Sequence, residues 1–525
     1  MYYVVGSGPS GIACAQAIAD IGRPVTILEP GLTLEPEREA LRAGLARQHS
    51  LNWPKPEFRL PHEGTVPVKL VHGSDYPYRL APGATDICYS GRVSLQGSYA
   101  AGGLSNVWGG AILPYRQEDL SEWPITTAEL QPAYANVSKL LPIVAECDDL
   151  AEMFPLHAHS YTTLRQSRQI EKLMQSLAKN RSKLNVNGVY FGKSRLAVDA
   201  VGVRSQTPCI YCGRCLHGCP FELIYSSRQS LENFQLHHRV SYIKGITVRS
   251  IEEIGASVLI RGVKFDGSPC YIEAGRVFLA AGVLNSTTIL LRSLGLYDKT
   301  LTIMDSQYFL FPLLQFVASP NVSKEQLHTL CQLFIEILDT RISDHTIHLQ
   351  IYSYNDHLAA ILDYKLGFFK RFFPRSSLLD RLLLVQGYLH SAYSPSIGAT
   401  LKRCGTSDAL YLEAVENAQT KSKVLQVVRK LGGLAASMQA TPITPLVEIA
   451  EPGRGFHSGG SFPMARAPGP WQSDRLGRPF GMERVHAVDS TVFPSIPATT
   501  ITLTAMANAY RIGREVSVLD LGRQA

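Results

Sequence analysis

Tyr2-Tyr-Val-Val-Gly-Ser-Gly-Pro-Ser-Gly11, read on through Thr26-Ile-Leu-Glu29, decides the fold. Tyr2 to Val5 is a short apolar run of strand formers. Gly6, Gly8 and Gly11 follow at the spacing G-x-G-x-x-G, residues 12–21 pattern as a helix, and residues 24–28 form a second strand closed by Glu29. Each part has a physical task in dinucleotide binding. Gly6 permits a tight turn, Gly8 lets a pyrophosphate approach the backbone, and Gly11 lets helix and strand pack closely. The helix N-terminus offers free N–H groups and a positive dipole end to the phosphates. Glu29 is placed to accept hydrogen bonds from a ribose diol. The unit therefore points to an adenine dinucleotide; the blander alternative is a glycine turn of an ordinary α/β protein.

Working outward, the length of 525 residues calls for two or three lobes. Lys and Arg exceed Asp and Glu by seven, spread along the chain, which does not argue for nucleic acid. The first strand starts next to Met1, so no leader is expected, and no apolar run reaches the ~18 residues that would span a bilayer. A cytoplasmic address follows, where thiols stay reduced. Ten cysteines are present, four of them between positions 209 and 219, which suggests metal or redox chemistry.

Residues 32–80 look loop-rich. Gly97-Ser-Tyr-Ala-Ala-Gly-Gly-Leu-Ser-Asn-Val-Trp-Gly-Gly110 implies close backbone approach to something flat or phosphorylated, unless it is an ordinary glycine-rich turn. Helices are expected over 127–142 and 166–182. Residues 240–254, 258–265 and 270–274 alternate as a small antiparallel sheet, and 276–283 reads as a buried strand leading into a helix at 285–294. Two further alternating runs mark the middle third, 347–354 and 383–390. They place His348, Gln350, Tyr352 and Tyr354 on one face, and Gln386, Tyr388 and His390 on another. These faces are either a polar floor for a hydroxylated substrate or the solvated side of a sheet. Between them, Leu366-Gly-Phe-Phe-Lys-Arg-Phe-Phe-Pro-Arg375 has a composition that fits a peripheral contact with the inner membrane surface, a partner patch, or inward-packed aromatics. The tail carries Phe456-His-Ser-Gly-Gly-Ser-Phe-Pro-Met464, Val485-His-Ala-Val-Asp-Ser-Thr-Val-Phe-Pro494 and a closing helix from about residue 498.

Cys209-Ile-Tyr-Cys212-Gly-Arg-Cys215-Leu-His-Gly-Cys219-Pro220 has the ferredoxin spacing C-x2-C-x2-C-x3-C-P. Cys209, Cys212, Cys215 and Cys219 are thus candidate ligands of a 4Fe-4S or 3Fe-4S cluster, with structural thiols, zinc or disulfides as alternatives.

Taken together, the opening unit, Gly102 to Gly110, Leu279-Ala-Ala-Gly-Val-Leu-Asn-Ser286, His457 with its glycines and Val488-Asp-Ser-Thr-Val-Phe-Pro494 resemble the glucose–methanol–choline (GMC) family of flavin oxidoreductases, in a subgroup with a ferredoxin-like cysteine run. The resemblance implies an α/β fold: a Rossmann-like FAD-binding domain built from residues 1–114, 196–298 and 451–525, and a substrate domain on a large antiparallel sheet from 115–195 and 299–450. It implies FAD, held by Gly6, Gly8, Gly11 and Glu29 at its ADP half. The flavin would run along Gly102, Gly103 and Ser105, with Asn106 and Val107 nearest the ring. Asp489 would lie near the pyrophosphate or ribityl chain, and Val240 near the adenine. No histidine occupies residues 97–110, so a non-covalent flavin is expected.

The resemblance further implies that His457 accepts the hydroxyl proton of an alcohol, of a sugar or a lipid-linked compound, while hydride leaves carbon for the flavin. Electrons would pass through the iron–sulfur cluster to an external acceptor, a redox protein or a quinone. The family's second His or Asn is replaced here by Thr500, which can hydrogen-bond but is no base at neutral pH. That departure keeps two alternatives open: a flavin-retaining lyase, and an electron-transfer or structural subunit with a degenerate site.

Overall fold

The computed structural model describes residues 1–54, 69–234, 238–356, 359–360 and 375–522. At its centre lies a five-stranded parallel sheet in the order Val485–Ala487, Arg276–Leu279, Tyr2–Val5, Val25–Glu29, Val240–Lys244. The three middle strands are buried at every position, as a parallel sheet covered on both faces requires. Helix Pro9–Asp20 follows the first strand, with proline at its start, where a missing N–H costs nothing. Its face of Ile12, Ala13, Cys14, Ala15, Ala17 and Ile18 is fully buried. Helix Thr502–Gly522 packs across it so closely that a Cβ on Gly513 would sit 3.0 Å from the Cys14 carbonyl oxygen. The two ends of the chain are therefore one packing unit, tied further by Tyr510 donating to Asp20 at 2.7 Å and Tyr2 donating to Asp520 at 2.8 Å.

The region read as one small antiparallel sheet divides in two. Gly245 at φ +86° breaks the run: Val240–Lys244 joins the edge of the parallel sheet, while Ile246–Ile254, Ser257–Lys264 and Pro269–Ala274 form a separate three-stranded antiparallel sheet. Helix Thr127–Ser138 is closed by a Thr126/Glu129 capping box, and the second expected helix is split into Arg168–Lys179 and Arg181–Val186.

A large antiparallel sheet faces the parallel one. Its order is Ala440–Pro442, Tyr308–Gln315, Leu382–Tyr388, Ile347–Tyr352, Leu333–Ile337, Val189–Lys193, with Glu448–Ile449 also pairing to Tyr308–Gln315. One face carries Phe309, Phe311, Leu313, Leu349, Ile351, Leu383 and Val385 into an apolar core under helices Arg168–Lys179 and Thr420–Gly433. Alternation then sends His348, Gln350, Tyr352, Gln386 and Tyr388 to the other face. That face is buried, His348 at 0% and Gln350 at 4% exposure, so the solvated-face reading does not hold. His390 falls outside it and stacks on His345 at 3.6 Å, and Tyr354 lies past the strand's end. A further five-stranded sheet, Ser458–Gly459, Thr300–Asp305, Ser396–Cys404, Ser407–Val415 and Asp86–Ser90, bridges the two.

Among the described residues no helix is long and apolar enough to cross a membrane. The Phe-rich segment expected at a membrane surface lies outside the described residues, apart from the helix start at Arg375.

A Cβ at Gly11 would meet the Gly6 carbonyl oxygen at 1.9 Å, backbone against backbone with no side chain to yield. Gly11→Ala is expected to destabilise the protein by about 3 kcal/mol in a denaturant titration.

Candidate active site

A cavity of about 1000 Å³ opens between the carboxyl ends of the parallel strands and the polar face of the large antiparallel sheet. At one end lie Gly6, Ser7, Gly8 and Glu29. Glu29 is buried without a cation. Burial raises its pKa, and hydrogen bonds oppose that shift: the Ser7 amide and hydroxyl donate at 2.9 and 2.6 Å, and the Tyr242 hydroxyl at 2.9 Å. Ser7 in turn accepts from the Gly102 amide at 2.8 Å, so the first turn holds the second glycine segment in place. A Cβ at Gly8 would meet nothing within 4 Å: the helix begins with open space in front of it and no side chain capping it. Uncapped N–H groups facing a void are the donor set an anionic pyrophosphate needs.

The Gly102 to Gly110 segment forms the middle wall through Gly103, Leu104, Ser105, Val107, Trp108 and Gly109. Gly102 and Asn106, both expected against the flavin, are not part of that wall. Gly102 takes a left-handed turn at φ +83°. The Asn106 amide donates to the Ala101 and Gly103 carbonyls at 2.9 and 2.7 Å and accepts from Ser226 at 2.8 Å, bracing the loop from behind. Gly11 likewise packs behind the site. Val240 requires a correction. As the first residue of its strand it sits at the amino end of the parallel sheet, away from the crevice, paired to Val25. Ile246, Thr247, Val248 and Arg249, past the Gly245 break, line the cavity instead. Asp489 does line it, and also closes two turns: it accepts from the Gly282 amide at 2.8 Å, Ser286 at 2.6 Å and the Thr491 amide at 2.9 Å.

His457 enters from the tail. Its loop is fixed by Asp305, which accepts from the Gly453 amide at 2.8 Å and the Ser458 hydroxyl at 2.7 Å; burial pushes the Asp305 carboxyl up to about 7. Phe456, just before it, is held at φ +55°, a strained setting for a bulky residue. The imidazole stacks on Tyr388 at 4.8 Å and faces the cavity, and its Nδ1 is buried without a hydrogen-bond partner. Burial, with His348 nearby, pushes its pKa down to about 3, so the ring is neutral at physiological pH and able to take a proton. Thr500 lines the same cavity, but its hydroxyl already accepts from the Leu113 amide at 2.7 Å.

Along the floor runs a polar chain whose Glu336 the sequence reading did not find. Glu336 and His348, both fully buried, share a 2.6 Å hydrogen bond from Nδ1. Gln350 lies 3.2 Å from His348 Nε2, and Tyr352 donates to Gln350 at 2.9 Å. The pairing of Glu336 opposite His348 was invisible without strand register.

The cysteine run also requires correction. Among the described residues no three of His, Cys, Asp or Glu are placed to hold a metal ion. Cys209, Cys215 and Cys219 pack against Val198, Leu223 and Leu330. Burial raises the thiols, Cys209 and Cys219 to about 12 and Cys212 to about 11. The residues as arranged do not fit an iron–sulfur cluster.

No family model matches the chain, and no curated protein matches it. Among solved structures the chain is similar to the crystal structure of pyridoxine 4-oxidase from Mesorbium loti, at 14% identity and a TM-score of 0.61, over 98% of each chain. The likeness is one of fold. It shows the mixed α/β architecture, parallel and antiparallel sheets together, to be similar to that of pyridoxine 4-oxidase.

Gly8 and Gly11 are expected to separate experimentally. Gly8→Ala leaves the unfolding midpoint of the FAD-free protein unchanged but weakens FAD binding on the order of tenfold by fluorescence titration, because the added methyl enters the open space before the helix.

Proposed function

We propose that the protein is a flavin-dependent oxidoreductase that oxidises an alcohol, with His457 as the proton acceptor. The observation that carries this reading is the His457 imidazole: neutral, stacked on Tyr388 and lining the same cavity as a dinucleotide-type glycine turn. FAD suits the residues present. Gly6, Gly8 and the uncapped helix would hold its pyrophosphate, Glu29 its ribose, and the Gly103 to Gly109 wall its ring. FAD, when bound, supplies the hydride acceptor.

The chain's own residues supply the rest. His457 takes the hydroxyl proton as the C–H hydride leaves, so an alcohol loses two electrons and two hydrogens and becomes a carbonyl compound. Tyr388 fixes the plane of the imidazole by stacking, and Asp305 fixes its loop. Burial of the cavity face excludes water from the reacting carbon. The electrons finally leave for an external acceptor such as a redox protein or quinone. Among the described residues no three of the metal-ligating types are placed to hold a metal ion, and no step is routed through the cysteines.

A second reading, a lyase that keeps FAD oxidised, is favoured by Thr500: its hydroxyl, which accepts from the Leu113 amide, is no base at neutral pH, which leaves one imidazole rather than a pair at the reaction centre. Anaerobic addition of alcohols to the holoprotein separates the two. Bleaching of the flavin band marks an oxidoreductase, and turnover without bleaching marks a lyase.

Under the first reading, His457→Ala is expected to slow bleaching by ~10²–10⁴-fold in stopped flow; an unchanged rate would remove His457 from the role. The folded-state pKa of His457 lies well below the ordinary histidine value, so the base is already free of its proton near neutrality. The bleaching rate is therefore expected to stay flat from about pH 8 to pH 6 and to fall only at more acid pH, as a proton comes to occupy the ring. An acid limb centred near 6.5 would contradict it.

A further inference from the structure

The proposed chemistry uses only the first row of the floor. Strands Tyr308–Gln315 and Leu382–Tyr388 pair so that Tyr308 lies opposite Tyr388, Leu310 opposite Gln386, and Pro312 opposite Leu384. All six line the cavity, with Leu446 alongside. The row bearing Tyr388 is where His457 stacks. From there the floor turns apolar.

Leu310, Pro312, Leu384 and Leu446 remain partly exposed inside the cavity, while their neighbours on the opposite face, Phe309, Phe311, Leu313, Leu383 and Val385, are at or below 1% exposure. Apolar surface has thus been left uncovered on one side of a sheet whose other side is fully packed, and it is continuous with the candidate base. From the Tyr388 row to the Leu384 row is four residues of strand, about 13 Å, enough for an extended alkyl chain of about ten carbons. The carboxylate at this rim, Glu448, is already engaged. A polyol laid along the same lane would desolvate a hydroxyl at every carbon, and past Gln386 these two strands present Pro312 and Leu384, while Tyr352, beside Leu384 on the next strand, already donates its hydroxyl to Gln350.

We infer that the substrate is a primary alcohol with an extended aliphatic tail, its hydroxyl at His457 and its tail over Leu310, Pro312 and Leu384. The inference rests on the reading of His457 as proton acceptor.

Anaerobic flavin bleaching of the FAD-loaded protein by a straight-chain series from propanol to dodecanol tests it. The second-order rate constant is expected to rise about fourfold per methylene and to level off near about ten carbons. Leu384→Asn is expected to cut the decanol-to-propanol ratio about tenfold, and calorimetric binding of decanol to the FAD-loaded His457→Ala variant is expected to survive loss of bleaching. A flat or falling series, or glucose outpacing decanol, overturns the aliphatic lane and leaves the role of His457 standing. Decanol that binds while no alcohol of any length bleaches the flavin overturns the underlying reading, and the substrate assignment with it.

Discussion

One hydroxyl organises the nucleotide end of this molecule. Ser7 donates to Glu29 and accepts from the Gly102 amide, and Glu29 also accepts from Tyr242. Segments far apart in sequence meet at this point: the first turn, the second strand, the long glycine segment and the edge strand Val240–Lys244. A buried carboxylate without a cation is costly unless its lone pairs are met by donors. Here the donors come from the elements that must be positioned, so satisfying the charge and assembling the site are the same event.

The second constraint is the meeting of two kinds of sheet. The parallel sheet offers its strand ends, the natural place for a dinucleotide. The antiparallel sheet offers a face, with one side sealed by an apolar core and the other carrying tyrosines, glutamines and leucines into the cavity. His457 arrives between them on a loop braced by Asp305 and strained at Phe456. Buried surroundings keep the imidazole neutral and enclose its Nδ1, while the ring as a whole remains part of the cavity wall.

The opening unit was legible because its logic is local: glycines at 6, 8 and 11 do their work within one turn, and Glu29 lies at the end of the next strand. That His457 would border the cavity was expected from a resemblance of motifs in order along the chain. What failed was whatever depends on distant partners. Val240 was misplaced because nothing in an alternating run announces that Gly245 divides it between two sheets. Asn106 was misplaced because the direction of its amide is set by Ser226, far along the chain. The cysteine spacing matched a ferredoxin run, yet among the described residues no three ligating groups are placed to hold a metal ion, and Cys209, Cys215 and Cys219 pack against a small apolar cluster. The polar face of the middle strands was visible in the alternation, but whether it met water or a cavity was settled only by what covers the sheet.

The most direct test of the central claim is the visible spectrum of the purified protein, recorded natively and again after denaturation and removal of the polypeptide by filtration. The account predicts flavin bands in the native sample and one equivalent of FAD released into the filtrate. A protein that is colourless as isolated, and that takes up no FAD when it is added, would contradict it.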